Sequence, residues 1–231
     1  LDAVVEANPN TVVVLQNGRP LVLTEVEHKV PGLVEAWLLG SEAGNATADV
    51  LFGDHNPSGK LTASFPRHVG QVPIYSNHRN TGRPAPHQPG EVVWSHYTDA
   101  PNTPLYPFGY GLSYTTFSYS EPVLSAGEMG MDGKVTVSVN LQNTGSRSGT
   151  EVAQLYVRDL VGSVTRPVRE LKGFRRVTLD AGETVRLDFE LGAKDLAFYT
   201  KRGKWEAVPG EFEVFVGGSS LVETSAKFTL K

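Results

Sequence analysis

The chain has 231 residues, with 21 Lys plus Arg against 25 Asp plus Glu and a formal net charge of −4. Its 39% hydrophobic and 20% charged residues exclude wholesale disorder and suit one large domain or two small ones, and the lack of a basic excess argues against nucleic acid as a partner. No run of about 18 apolar residues is present to span a membrane, and the absence of cysteine removes disulfides, thiolate metal ligands and cysteine nucleophiles together.

Leu1, Val4 and Val5 fall at helical spacing, so the chain is expected to open inside a helix and to be part of a longer sequence. Residues 11–16 (Thr-Val-Val-Val-Leu-Gln), closed by Asn17-Gly18, form a short continuous apolar run of the kind that makes a strand buried on both faces. Residues 33–39 are a second such run, ended by Gly40. Between them, residues 24–30 have room for one or two helical turns. Residues 43–52 place small and apolar side chains at helical spacing, and Gly53 stops them. Residues 1–66 therefore read as α/β. So few strands cannot make a sheet covered on both faces, and the remaining strands are expected to lie outside this chain.

Residues 67–111 change character, with clustered Pro and His and little apolar periodicity. A loop of that length is expected to be functional or a linker. His68, His78, His87 and His96 match no metal-binding spacing and read as polar loop histidines. No metal and no cofactor is expected.

From residue 112 onward the pattern is β. Strands are expected at 115–119, 134–141, 151–157, 170–179, 184–191, 196–199, 204–207, 211–216 and 226–230, several alternating strictly. Turn signals every 8–12 residues indicate an antiparallel sandwich, and without a Cys pair it is closer to a fibronectin type III module than to a true immunoglobulin domain.

Three segments now carry a family likeness. One runs Glu35-Ala36-Trp37-Leu38-Leu39-Gly40-Ser41-Glu42-Ala43-Gly44-Asn45, through Asp49-Val50-Leu51-Phe52-Gly53, to Asn56-Pro57-Ser58-Gly59-Lys60-Leu61 and Ser64-Phe65-Pro66. Another is Pro104-Leu105-Tyr106-Pro107-Phe108-Gly109-Tyr110-Gly111-Leu112-Ser113-Tyr114. The last is the sandwich, with Asn143-Thr144-Gly145, Arg166-Pro167 and Glu170-Leu171-Lys172-Gly173-Phe174. In this order they resemble the C-terminal part of family 3 glycoside hydrolases of the β-glucosidase type. Val69-Gly70-Gln71-Val72-Pro73-Ile74-Tyr75 and Asn80-Thr81-Gly82-Arg83-Pro84 resemble the bacterial periplasmic members. Two departures are small: Ala43 stands where the family often has Gly, and Thr62 where Pro is usual.

The resemblance implies the C-terminal part of an α/β sandwich domain (1–66), a long loop and interdomain linker (67–111) and a fibronectin type III-like β-sandwich (112–231). It implies a periplasmic or secreted, retaining, exo-acting β-glucosidase acting on a β-glucoside or oligosaccharide. The expected partner is a barrel-bearing N-terminal part, in the same or a separate chain, or a second copy in a homodimer. A non-catalytic carbohydrate-binding or assembly module is the alternative. A retaining glycosidase needs two carboxyl groups about 5–5.5 Å apart. In this family the nucleophile is an Asp of the barrel and the acid/base a Glu on a loop ahead of the helix at Leu1. Neither has a matching position here, so no catalytic residue is assigned.

Glu42, in a Gly-bounded loop at a helix start, reads first as a capping carboxylate contributing about 0.3–1 kcal/mol, with catalysis as the alternative. Arg19, after the first strand, either faces a ligand at the strand's carboxyl end or pairs in an interface. The loop at 75–97 offers His78, Arg79, Asn80, Arg83, Trp94 and His96 as candidate substrate-binding residues. Sugar sites combine aromatic faces with planar polar groups in a concavity. The competing role for this loop is an interdomain or dimer contact surface.

Overall fold

The computed structural model describes residues 1–83 and 94–231; His87 lies outside them. The chain opens with a short helix α1 (Asp2–Ala7), strand β1 (Val12–Leu15), strand β2 (Gly32–Glu35) and helix α2 (Ala43–Phe52). β1 and β2 pair in parallel, Val13 opposite Leu33. The apolar run at 33–39 is extended only as far as Glu35, because the chain turns at Trp37, whose φ is 51°. Residues 24–30 form turns, not a helix. α2 has the expected bounds, ended by Gly53 in the left-handed region at φ 85°, where glycine has no Cβ penalty.

This segment has a small core: Leu23, Phe65 and Leu105 are buried, with Leu15, Leu33, Trp37 and Tyr106 packed around them. Its outer surface remains apolar. Val12, Leu38, Leu39 and Phe52 are exposed, and Val13 and Trp37 are half-buried.

The sandwich contains β3 (Phe117–Tyr119), β4 (Val123–Leu124), β5 (Glu128–Met129), β6 (Lys134–Asn143), β7 (Gly149–Asp159), β8 (Glu170–Leu179) and β9 (Thr184–Gly192). After a single helical turn α3 (Ala193–Leu196) come β10 (Phe198–Tyr199), β11 (Trp205–Glu206), β12 (Gly210–Gly217) and β13 (Ser225–Leu230). One sheet has the order β5-β13-β12-β7-β8; in the other, β6 pairs with β3, β4 and β9. All these pairings are antiparallel except β13 with β5. Alternate residues fill the core: Val135, Val137, Val139 and Leu141 from β6 meet Leu155, Val157, Val214 and Val216 from the facing sheet. The two-residue strands β4 and β5 escape a periodicity reading because alternation needs four or more residues to register.

β7 departs from simple alternation. Gln154 and Tyr156 are buried on its outer face as well. Loops outside the sheet hold Gln154: its side-chain amide donates to the carbonyls of Gly109 and Gly218 at 3.1 and 2.8 Å. Gly109 adopts φ 80°, and a Cβ there would lie 2.1 Å from Gln154 Oε1.

Candidate functional site: the loop over the domain junction

Residues 105–110 dock as an extended segment on residues 61–65. Phe65 N–H donates to the Tyr106 carbonyl, Leu105 N–H to Phe65, Leu61 N–H to Tyr110 and Gly109 N–H to Leu61, all at 2.7–2.8 Å. Side chains then join the two halves. Asn56 donates to the Ser148 carbonyl at 3.0 Å and accepts from Ser113 Oγ and Tyr114 N–H. Arg147 reaches the Gly53 carbonyl at 3.1 Å and lies over the Tyr114 ring. Lys60 pairs with Glu151 at 3.1 Å, and Tyr119 donates to the same carboxylate at 2.9 Å. Burial, then the nearby Glu151 charge, pushes the Tyr119 phenol far above its ordinary range.

The loop at 67–83 is held by side chains. Gln71, 1% exposed, accepts from Arg67 N–H at 2.7 Å and donates to the carbonyls of Pro101 and Thr103. Thr24 donates to the Arg67 carbonyl at 2.6 Å. These bonds satisfy a backbone that has no ladder partner, which explains how so long a loop is ordered without apolar periodicity. Farther on, Val168 N–H donates to the His78 carbonyl at 2.8 Å, and Arg79 forms an isolated β-bridge with Pro167. The loop is thus pinned to the β7–β8 connection. That connection is itself fixed by Arg166, which pairs with Glu170 and Asp159 and lies 4.1 Å over the Phe198 ring. Burial raises the Asp159 carboxyl, and Arg166 opposes the shift.

The candidate substrate-binding residues fall into two groups. His78, Arg79 and Asn80 are exposed beside Pro167 and Val168. Arg83 meets Ser95, which lies between Trp94 and His96, at a neck: Ser95 N–H donates to the Arg83 carbonyl at 2.9 Å, and Thr81 Oγ1 lies 2.8 Å from Ser95 Oγ. The Trp94 and His96 rings stack at 4.1 Å with 20° between planes. Asn102 closes the neck from below through Ser95 O and Tyr97 N–H. His68 sits edge-on to Tyr97 at 5.5 Å. Among the described residues no group of three His, Cys, Asp or Glu could hold a metal ion.

The carboxyl ends of β1 and β2 form a second cluster. Glu35 accepts from the Asn17 side-chain amide at 3.1 and 3.2 Å and from Trp37 N–H at 2.9 Å. This carboxylate holds a bulky residue in the left-handed region, a conformation costing on the order of 1–2 kcal/mol, while the Trp37 ring packs on Phe65 at 5.8 Å. Glu42 is exposed at the N-cap of α2, its carboxylate on Asn45 Nδ2 at 2.6 Å and away from the backbone N–H groups. It does not cap through its side chain. Arg19 is exposed and forms no ion pair among the described residues. Sequence reasoning missed the Glu35–Trp37 turn and the Lys60–Glu151–Tyr119 group. A Glu two residues before an aromatic at a strand end was a faint signal for the first, and nothing local signalled the second.

Residues 1–114 match the glycosyl hydrolase family 3 C-terminal domain and residues 151–220 the fibronectin type III-like domain. The periplasmic beta-glucosidase of Salmonella typhimurium is 50% identical over 95% of this chain, and a beta-xylosidase of Formosa agariphila is 44% identical over 96%. The crystal structure of a beta-glucosidase from Listeria innocua in complex with glucose superposes with a TM-score of 0.94 at 42% identity over 99% of the chain. This chain spans 29%, 30% and 32% of those proteins, respectively. The family models, the relatives and the superposition agree, and the chain belongs to glycosyl hydrolase family 3, as the C-terminal portion that ends in a fibronectin type III-like domain.

Proposed function

We propose that this chain is the C-terminal portion of a retaining, exo-acting β-glucosidase that releases terminal non-reducing β-D-glucosyl residues. The observation that carries the reading is the 50% identity to a periplasmic beta-glucosidase, sustained over 95% of the chain. The same relative supports a periplasmic or secreted location, and no helix among the described residues is long and apolar enough to cross a membrane. In this reading His78, Arg79, Asn80, Arg83, Trp94 and His96 contribute to the rim that receives the sugar. The exposure of all but the half-buried Trp94, and the neck where Arg83 meets Ser95 beside the stacked Trp94 and His96, support that role. The β-xylosidase relative favours a second reading of the sugar alone, with xylose in place of glucose.

The test is hydrolysis of aryl β-D-glucoside and β-D-xyloside by the intact enzyme, with the first product's anomer followed by NMR. Faster glucoside turnover with retention supports the proposal. Preference for xyloside moves it to the second reading, and inversion or no turnover of either sugar overturns it. Arg83→Ala and Trp94→Ala are expected to raise KM about tenfold with kcat little changed, the signature of lost ground-state binding.

A further inference from the structure

A cavity of about 470 Å³ lies where the α/β segment meets the sandwich, within the roughly 300–1,000 Å³ range of small-molecule sites. One wall is residues 62–64 and 74–77; the other is residues 169–172, leading into β8. The His78–Val168 hydrogen bond and the Arg79–Pro167 bridge tie one wall to the other, so backbone contacts fix its width.

The charged groups around this cavity are already matched within the protein. Glu170 pairs with Arg166 and lies 3.7 Å from Lys172. Arg169 donates to the carbonyls of Ser220 and Val222, with its guanidinium 4.0 Å over the Phe215 ring. The hydroxyls of Thr62, Ser64, Tyr75 and Ser76 and the side-chain amide of Asn77 line the same space, and none makes a side-chain hydrogen bond among the described residues. Ser64 is 8% exposed, so its hydroxyl looks into the cavity and not into open solvent. Phe108 and Leu171 add apolar surface. The groups left without partners therefore set the ligand's chemistry: uncharged, rich in donors and acceptors, and with a C–H face.

We propose that this cavity binds a neutral polyhydroxylated molecule of mono- to disaccharide size. Its hydroxyls bond to Ser64, Tyr75 and Asn77, and its C–H face lies on Phe108 and Leu171. The site requires no catalytic carboxylate and goes beyond the proposed hydrolysis.

The experiment is an amide NMR titration of the 231-residue chain with glucose, xylose and cellobiose, and with galacturonate as a charged control. At least one neutral sugar is expected to give saturable shifts at 62–64, 75–77 and 169–172, with Kd in the roughly millimolar range. Asn77→Leu and Tyr75→Ala alter exposed side chains and leave the fold intact, and each is expected to weaken binding about tenfold. Saturable shifts elsewhere, no saturable shift with any neutral sugar, unchanged binding in both variants, or tighter binding of galacturonate overturns the proposal. Failure of the intact enzyme to hydrolyse a β-glucoside leaves this isotherm unaffected, so the two readings fail separately.

Discussion

Lys60, from the α/β segment, sets its ammonium 3.1 Å from the carboxylate of Glu151 on β7, with side chains 14% and 6% exposed. Removing one partner of such a pair strands the other charge in a poorly solvated place, at a cost of about 3–5 kcal/mol. Lys60→Met and Glu151→Leu are each expected to lower the Tm sharply. Combined, they are expected to recover much of the loss. A double-mutant cycle by thermal denaturation checks this; additive losses would show that the pair is not coupled.

Gly109→Ala is expected to destabilise the junction. The left-handed backbone alone costs about 1–2 kcal/mol for a residue with a Cβ, and that Cβ would lie 2.1 Å from Gln154 Oε1. Gln154 would have to move and release the carbonyls of Gly109 and Gly218. Gly182 is also left-handed, at φ 78°, but a Cβ there meets nothing within 4 Å. Gly182→Ala is therefore the matched control, expected to lose much less in denaturant titrations.

Alkaline pH is expected to unfold the chain. Burial pushes the Tyr106 phenol up to about 12, with Glu27 adding to the shift, and it raises Tyr119 and Tyr156 as well. Above pH 10 the unfolded chain loses these protons while the folded chain keeps them. The stabilisation is complete below pH 10 and is lost as pH rises through the folded values. Near-ultraviolet phenolate absorbance should show late-titrating tyrosines whose ionisation coincides with loss of circular dichroism. A single ordinary tyrosine step in a chain that stays folded would contradict this.

Hydrogen exchange is expected to be uneven. Amides of β6 and β9 lie in a ladder with fully buried Val135, Val137, Leu141 and Leu191. Among the described residues β1 pairs only with β2, and none of its residues is fully buried. Opening free energy follows local burial, so amides at 12–15 should exchange much faster than those at 134–141 and 184–191. Equal protection would be inconsistent with the half-covered state of β1.

Much of this architecture is legible in the sequence because its long elements obey simple periods. The alternation in 134–141 forecasts β6, and the small apolar stretch before Gly53 forecasts α2. The run at 33–39 misleads because apolarity continues past the strand. Leu38 and Leu39 are exposed, and the Glu35 carboxylate, not a hydrophobic pattern, governs the turn at Trp37. The loop is the harder case. Its order depends on contacts such as Gln71 with Pro101 and Val168 with His78, between residues far apart in sequence. Sequence reasoning could nominate Arg83, Trp94 and His96 by chemical type, but their meeting at Ser95 depends on backbone bonds that no residue type announces.

That meeting has a practical consequence. The Arg83 carbonyl and the Ser95 N–H close a gate 2.9 Å wide, and Thr81 and Asn102 brace it from either side. Residues 83 and 95 therefore lie at nearly the same point in space. The two ends are thus held as a single clasp, and loss of either brace would loosen both ends together while the sheets of the sandwich stay in register.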